Sequence, residues 1–524
     1  QNAEFHASRA NILHRMKRYD EALAGLSKAL SLRPDRAAFH YNHGNILFDL
    51  KRVAAAFEAY DHAFRLDPGL DYVEGDRFFA KRMICNWANL DTEKKRLAAG
   101  VASGRGVSRP FPFLSVESST SIQTKCSNLF SDKEFPPAQP LWRGERYSHD
   151  RIKVAYLSAD FREHATSYLV AGMMEQHDRK HFETIGVSFG DNDESPMRRR
   201  MEGAFEQFVD FSGKSDLEIA RWLRATEVDI AVDLMGPTKN ARPATFSYRP
   251  APIQVAYLAF AGSNGAPYID YVFGDRTVIP EAERQLYREQ IVYLPDTYQV
   301  NDSQRRIADK TPARSECALP DASFVFCCFN NPYKIGPDVF DIWMKLLKAN
   351  EGSVLWLIDD NSVATTNLRG EAELRGVAPD RLVFAPKMSL AAHLARHRQA
   401  DLFLDTLPYN GHTTVSDALW AGLPILTCPG FTFPGRVAAS LLKAIGLDEL
   451  ITSSLDEYET LARKLARDPP QLAALKEKLA RNRSGYPLFD TARFTRHIES
   501  AFMVMQDNQQ RGVSPVSFSV EPIK

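Results

Sequence analysis

The stretch 405–424, DTLPYNGHTTVSDALWAGLP, carries residue types that together can hold an anion. The apolar run Leu402, Phe403, Leu404 enters a Pro/Asn/Gly turn, and the turn opens on His412, Thr413 and Thr414 with Asp417 further along. A strand, a glycine turn and a hydroxyl-rich helix start present free backbone N–H groups where the helix dipole favours negative charge. Thr413 and Thr414 add hydroxyl donors, and a phosphate bound there leaves Asp417 positioned to accept hydrogen bonds from a sugar hydroxyl. That is the chemistry of a nucleotide-sugar site. The same residues also serve as ordinary turn and N-cap chemistry, so the surrounding elements decide between the two.

Those elements alternate. In the second half of the chain, strands are expected at 324–329, 354–358, 382–384, 402–404 and 424–427, with helices at 339–347, 367–374, 391–397, 414–420 and 437–445 between or after them. Further helices follow at 458–467, 471–481 and 494–505. From Ile152 the first half reads similarly, with strands at 153–159, 184–189, 230–234, 254–260, 271–273 and 291–294 and helices at 167–177 and 216–225. Continuous apolar strands between helices imply parallel sheets covered on both faces. The reading is two nucleotide-binding-type α/β domains in tandem. Ligands in such sheets sit beyond the C-terminal strand ends. The polar clusters 158–164, 330–334 and 405–414 occupy such ends, which points to a cleft between domains.

A different pattern precedes them. Residues 11–34 and 45–68 superpose at a period of 34, matching Asn11/Asn45, Ile12/Ile46, Leu13/Leu47, Arg18/Arg52, Ala22/Ala56, Ala29/Ala63, Leu32/Leu66 and Pro34/Pro68. Alanine at close helix contacts and proline closing each unit are the tetratricopeptide signature. Neither helix pair buries its own apolar face, so the repeats must pack on something else or continue upstream of Gln1. Residues 72–90 read as a degenerate third unit that docks them. The expected organisation is repeats at 1–90, a surface connector at 91–148 anchored by Phe111, Phe113 and Trp142, an N-terminal lobe at 149–315 and a C-terminal lobe with terminal helices at 316–524.

Composition narrows the class. Lys plus Arg (65) nearly balance Asp plus Glu (66), which argues against a nucleic-acid or membrane-surface partner. Met197-Arg198-Arg199-Arg200-Met201 reads as a solvated helix face. The six cysteines form no CxxC or Cys/His spacing. Buried free thiols without a disulfide frame point to a reducing, cytoplasmic setting. No run of about 18 apolar residues implies a membrane span. The chain opens on Gln rather than Met, as a trimmed product would.

Taken in order, the repeats, FREHATSYLV, APIQVAYLAFAGSNG, CFNNPYKIGPDVFDIWMKLLK and LDTLPYNGHTTVSDALWAGLP resemble the protein O-GlcNAc transferases over essentially the whole chain. The resemblance implies an inverting glycosyltransferase of the GT-B type, two Rossmann-like parallel sheets behind an all-α repeat segment, needing no metal and no cofactor. UDP-GlcNAc would lie between the lobes and a protein or peptide acceptor along the repeats. Lys334 corresponds to the lysine that contacts the diphosphate, Thr413 and Thr414 to phosphate ligands, and Asp417 to the ribose ligand. His393 corresponds to a histidine stacked near the uracil, with Arg396 beside it. Asn331, Tyr333, Met388, Gly411 and His412 complete the nucleotide-binding set. His164 matches the candidate general base. A histidine there can take a hydroxyl proton near neutral pH or merely shape the sugar pocket. Asp160, a phosphate oxygen or a water are the other acceptors.

The chain also departs from that pattern. Asn331 stands where animal members carry Gln, Leu390 replaces a lysine of the base pocket, the loop 259–265 lacks a Gly and a Pro, and Pro237 replaces His or Tyr. The base pocket leaves open a SPINDLY-like O-fucosyltransferase using GDP-fucose. A third reading is a repeat-based interaction protein whose transferase half is weak, against which the intact Lys334 and 411–417 set argues.

Overall fold

The computed structural model describes every residue except Gln1, Glu117 and Lys524. The helices Ala3–Arg15 and Tyr19–Leu32 form the first repeat, and Ala37–Asp49 and Val53–Leu66 the second. The period of 34 is visible in the packing. Ala10 and its counterpart Gly44 lie at the closest helix approaches; a Cβ on Gly44 would stand 2.6 Å from the Tyr60 ring. Ala22, Ala29, Ala56 and Ala63 are completely buried.

The helix Val73–Met83 stacks on the second repeat and docks the array onto the second lobe. Arg82 donates from Nε and Nη2 to the Tyr333 carbonyl (3.1 and 2.7 Å). The segment expected as an irregular connector instead contains the helices Leu90–Ala102 and Thr120–Glu134. Its Ser- and Lys-rich sequence lacks a long apolar stripe, so little periodicity betrays them. Phe113 anchors the segment in the core and Phe111 packs beside it. The stretch around Trp142 runs along the first lobe through backbone bonds to Ser247, Tyr248 and Arg249.

The first sheet contains β1 (Ile152–Ser158), β2 (Phe182–Ser188), β3 (Gln207–Asp210), β4 (Ile230–Asp233), β5 (Ile253–Ala256), β6 (Tyr271–Gly274) and β7 (Gln290–Tyr293). The second contains β8 (Val325–Cys328), β9 (Val354–Ile358), β10 (Leu382–Ala385), β11 (Leu402–Leu404) and β12 (Ile425–Leu426), and β13 (Phe518–Ser519) closes the chain. Every pairing is parallel, in the orders β13-β7-β6-β5-β4-β1-β2-β3 and β10-β9-β8-β11-β12. Strands buried on both faces explain the uninterrupted Val/Ile/Leu runs. In the second sheet the strand order reverses between β8 and β11, so the crevice that receives a ligand lies between the ends of those strands.

The chain end belongs with the first sheet, not with the second lobe expected over 316–524. Along the helix Thr491–Gln510, Phe494, Ile498, Phe502 and Met505 recur at helical spacing and pack with Tyr156, Phe182, Tyr257 and Phe273. His177 sits between Tyr156 Oη (2.7 Å) and Glu499 (3.0 Å), and β13 extends the sheet beside β7. Periodicity marks such a helix as amphipathic without saying which sheet its stripe meets. The basic cluster at 198–200 also differs from expectation. Arg198 is buried, donating to Asp210 (2.7 Å), Ser188 (2.7 Å) and Glu202 (2.7 Å), while Arg200 pairs with Glu175 and Asp302. Among the described residues no helix is long and apolar enough to cross a membrane.

Candidate active site

The end of β8 and the end of β11 are joined by side chains. Asn330, just past β8, donates from Nδ2 to Asp405 Oδ1 (3.2 Å) and Thr406 Oγ1 (2.8 Å), both just past β11. Its Oδ1 accepts from the Thr414 hydroxyl. Asp405 in turn accepts from the Gly411 amide (2.7 Å) and the Thr427 hydroxyl (2.7 Å). These bonds fix the turn that precedes the helix Thr413–Ala421. Gly411 has no room for a side chain, because a Cβ would stand 2.6 Å from both Asn330 Oδ1 and Thr414 Oγ1. No side chain caps the helix, and Thr413 and Thr414 remain partly exposed. The helix start is therefore a reachable set of donors at the positive end of the dipole.

Lys334 approaches this turn from the side. Its Nζ donates to the Asn410 carbonyl (2.8 Å) and lies 4.0 Å from the centroid of the Tyr409 ring. The side chain is buried, and burial lowers the ammonium to about 7 although the Asp405 charge pulls the other way. Asp405 is raised by burial to about 6. His412 packs at a tilt against Tyr409 (centroids 4.9 Å apart) and donates from Nε2 to the Pro434 carbonyl (3.1 Å). Burial and the neighbouring Lys334 hold His412 well below the ordinary histidine value, so the ring is neutral.

The remaining predicted residues divide. His393 packs at a tilt against Phe329 (centroids 5.1 Å apart). Arg396, expected beside it, is buried beneath it: the guanidinium lies over Phe329 (4.7 Å), donates to the Pro386 carbonyl (2.6 Å) and donates to His393 Nδ1. Arg396 orients His393 rather than facing the crevice. Burial lowers His393 to about 2 and keeps it neutral. Met388 is 42% exposed in the loop leading to the helix Leu390–Arg396. Asn331 is exposed, and its carbonyl accepts from the Lys334 amide (2.9 Å). Tyr333 is buried against Phe79 (5.0 Å) and Tyr409 (5.8 Å), so its ring packs the repeat-side docking helix onto the turn and offers the nucleotide no open face. Asp417 already has a partner, Arg305 Nη1 at 2.5 Å.

On the first lobe, His164 follows β1 and caps the helix Ala165–Glu175. Its Nδ1 lies 3.3 Å from the Thr166 amide and 3.5 Å from Asp160 Oδ2. Burial lowers it from the ordinary histidine value, opposed by Asp160 and assisted by Arg162. The lobes meet through Thr297 Oγ1 and Ser440 Oγ (2.9 Å), through Ser440 and Asp275 (2.7 Å), and through the Tyr298 ring on Phe433 (4.8 Å). Phe433 adjoins Pro434, which receives His412, so the crevice of one lobe faces the other.

Sequence reasoning missed the scaffold. Asp405, Asn410 and Thr427 lay in or beside the motif, and Asn330 in a recognised strand-end cluster, without an assigned role. A buried carboxylate needs several donors, which flags Asp405 as a hub once its strand is known. Nothing in the linker sequence around Arg305 marks it.

Two facing parallel-sheet lobes, a C-terminal helix returning to the first, and an uncapped, hydroxyl-rich helix start at the second lobe's switch point define the two-lobed GT-B glycosyltransferase class. The glycosyl transferase family 41 model matches residues 111–311 and 309–498, and tetratricopeptide models match 10–50 and 37–70; the chain belongs to family 41. It is 36% identical over 420 residues to the probable UDP-N-acetylglucosamine–peptide N-acetylglucosaminyltransferase SEC of Arabidopsis thaliana, covering 78% of this chain and 43% of that one. It is 29% identical to the probable transferase SPINDLY of Solanum lycopersicum, covering 70% of this chain and 40% of that protein. The chain thus spans less than half the length of these curated relatives. A lysine-to-methionine mutant of the Thermobaculum terrenum O-GlcNAc transferase superposes with a TM-score of 0.80 at 27% identity, over 98% of each chain.

Proposed function

We propose that this protein is an inverting, metal-independent glycosyltransferase that moves GlcNAc from UDP-GlcNAc to serine or threonine hydroxyls of proteins. The observation that carries this reading is the placement of the Lys334 ammonium beside the uncapped start of the helix Thr413–Ala421. As the sugar C1–O bond breaks, charge grows on the diphosphate. Lys334 and the helix N–H groups, with the Thr413 hydroxyl, are fixed donors for it, and no reorganisation is needed at the moment of reaction; the Thr414 hydroxyl, expected as a further donor, is spent on Asn330 Oδ1 and braces the turn instead. His393 and Met388 flank the base, and Asp417 meets the ribose. Inversion follows if the acceptor hydroxyl attacks the opposite face of C1, with its proton passing to His164. Similarity to peptide N-acetylglucosaminyltransferases supports both donor and acceptor, and the repeats are the surface for the acceptor chain. Six free thiols suit a reducing, cytoplasmic site of action.

Calorimetric titration with UDP and GDP, paired with transfer of labelled GlcNAc to a cell-lysate protein pool, tests the reading. Tight UDP binding with transfer supports it. Preference for GDP turns it into the fucosyl-transfer alternative, and no binding of either nucleotide at millimolar concentration leaves only a repeat-based interaction protein.

A further inference from the structure

Arg305 belongs to the linker between the lobes, yet its side chain has 0% exposure and points into the second lobe. Nη1 donates to Asp417 Oδ1 (2.5 Å), Nε to the Asp302 carbonyl (3.2 Å) and Nη2 to Asn301 Oδ1 (3.4 Å). The guanidinium also lies 5.7 Å from the Trp420 ring, and Trp420 returns a bond from Nε1 to the Arg305 carbonyl (3.0 Å). Asp417 and Trp420 are three residues apart on one helix face, so the linker grips the helix Thr413–Ala421 at two successive points. The linker is itself anchored: Thr491 Oγ1 donates to the Asn301 carbonyl (2.8 Å) and accepts from the Ser303 amide (2.9 Å), where the chain crosses back to the first lobe.

We infer that Arg305 is a positioning residue for the ribose end of the donor site, holding the Asp417 carboxylate from the interlobe linker in the orientation a vicinal diol requires. The inference rests on the reading of Asp417 as a ribose ligand. The guanidinium fork uses its other donors on the linker and cannot follow Asp417 elsewhere. With Oδ1 occupied by Arg305, the carboxylate is oriented, and its 7% side-chain exposure is the face left for a ligand. Burial alone would push Asp417 towards its protonated form, and Arg305 opposes that. A neutral carboxyl, or one free to rotate, would lose the charge-assisted bonds that distinguish ribose from deoxyribose.

The test measures binding of three probes to the whole chain: UDP, 2′,3′-dideoxy-UDP and inorganic pyrophosphate. The unmodified protein is expected to prefer UDP over the dideoxy nucleotide by tenfold or more. Arg305→Gln should reduce that preference below threefold while pyrophosphate affinity stays within threefold. Arg305→Lys, which keeps the charge but not the fork, should fall between them, and it carries the test by the same criteria if the glutamine variant does not fold. An undiminished UDP preference in the variants overturns the inference, as does a pyrophosphate affinity that falls in step with that for UDP. A native protein that binds UDP but ignores the ribose hydroxyls also overturns it while leaving the donor reading intact. Failure to bind UDP or pyrophosphate at all sinks the donor reading, and the inference with it.

Discussion

The two sides of the crevice are built differently. On the second lobe, Asn330, Asp405, Gly411, Thr414 and Thr427 form a closed hydrogen-bond network under the helix start, and Lys334 is buried against it. On the first lobe, His164 is 40% exposed at its side chain and held by contacts of 3.3 and 3.5 Å, both long for good hydrogen bonds. A diphosphate has one shape, and donors preset around it stabilise developing charge without rearrangement. On the proposed function, acceptor hydroxyls arrive on different protein chains, and a loosely held residue adapts to them. The rigid half would then serve the chemistry common to every turnover and the loose half the part that varies with the acceptor.

Substitutions on each side sharpen this contrast. The largest effect is expected from Lys334→Met. Methionine matches the apolar stem and can keep packing on Tyr409, while Asp405, already raised to about 6, can protonate once its cation is gone. Cooperative unfolding should therefore persist. Transfer of labelled sugar should fall by at least ~10²-fold, the usual cost of losing one preorganised donor. Near-normal transfer by a folded Lys334→Met protein would show that the rigid half is scaffold and not machinery.

The matching change on the loose side is His164→Asn. Asparagine is a good N-cap, so the helix Ala165–Glu175 keeps its start, and stability should shift by no more than ~0.5 kcal/mol. A general base contributes ~10²–10⁴-fold, so kcat should fall by about 10²-fold with KM for the donor nearly unchanged. A loss under threefold would hand the proton to Asp160, to a water or to a phosphate oxygen, and would make the first-lobe side a shaping surface.

The same contrast explains what could be read from the residues alone. The repeats, both sheets and the turn that opens on the helix Thr413–Ala421 were legible because each rests on local pattern: the 34-residue period, apolar strands next to glycine turns, and hydroxyls at a helix start. Val354–Ile358 and Leu402–Leu404 fall where the apolar runs place them. What was not legible depends on contacts across long sequence separations. Arg396 lies beneath His393, Tyr333 packs against Phe79, Arg198 turns inward to Asp210, and the helix Thr491–Gln510 covers the first sheet. Amphipathicity records that a residue faces protein but not which protein surface it faces. Arg305 is the extreme case, a charged residue in a polar linker whose burial follows only from where the linker runs.

The smallest expected effect is a proton count that separates the two sides without any substitution. Burial lowers Lys334 from 10.5 to about 7 in the free protein. Below about 7 it is already charged, and a diphosphate binds without proton exchange at this residue. Above about 7 the free lysine is increasingly neutral, whereas a bound diphosphate favours the ammonium and raises it again. UDP affinity should thus fall as pH rises above 7, approaching a tenfold loss per unit until the bound-state value is reached, with close to one proton taken up per UDP. Calorimetry at pH 8.5 in two buffers of different ionisation enthalpy reads that uptake directly. In the Lys334→Met protein the uptake should vanish, whereas in His164→Asn it should persist, because the proposed function puts the histidine on the acceptor and not on the diphosphate. Uptake that disappears with His164 instead would place the titrating group on the adaptable side and reverse the division of labour.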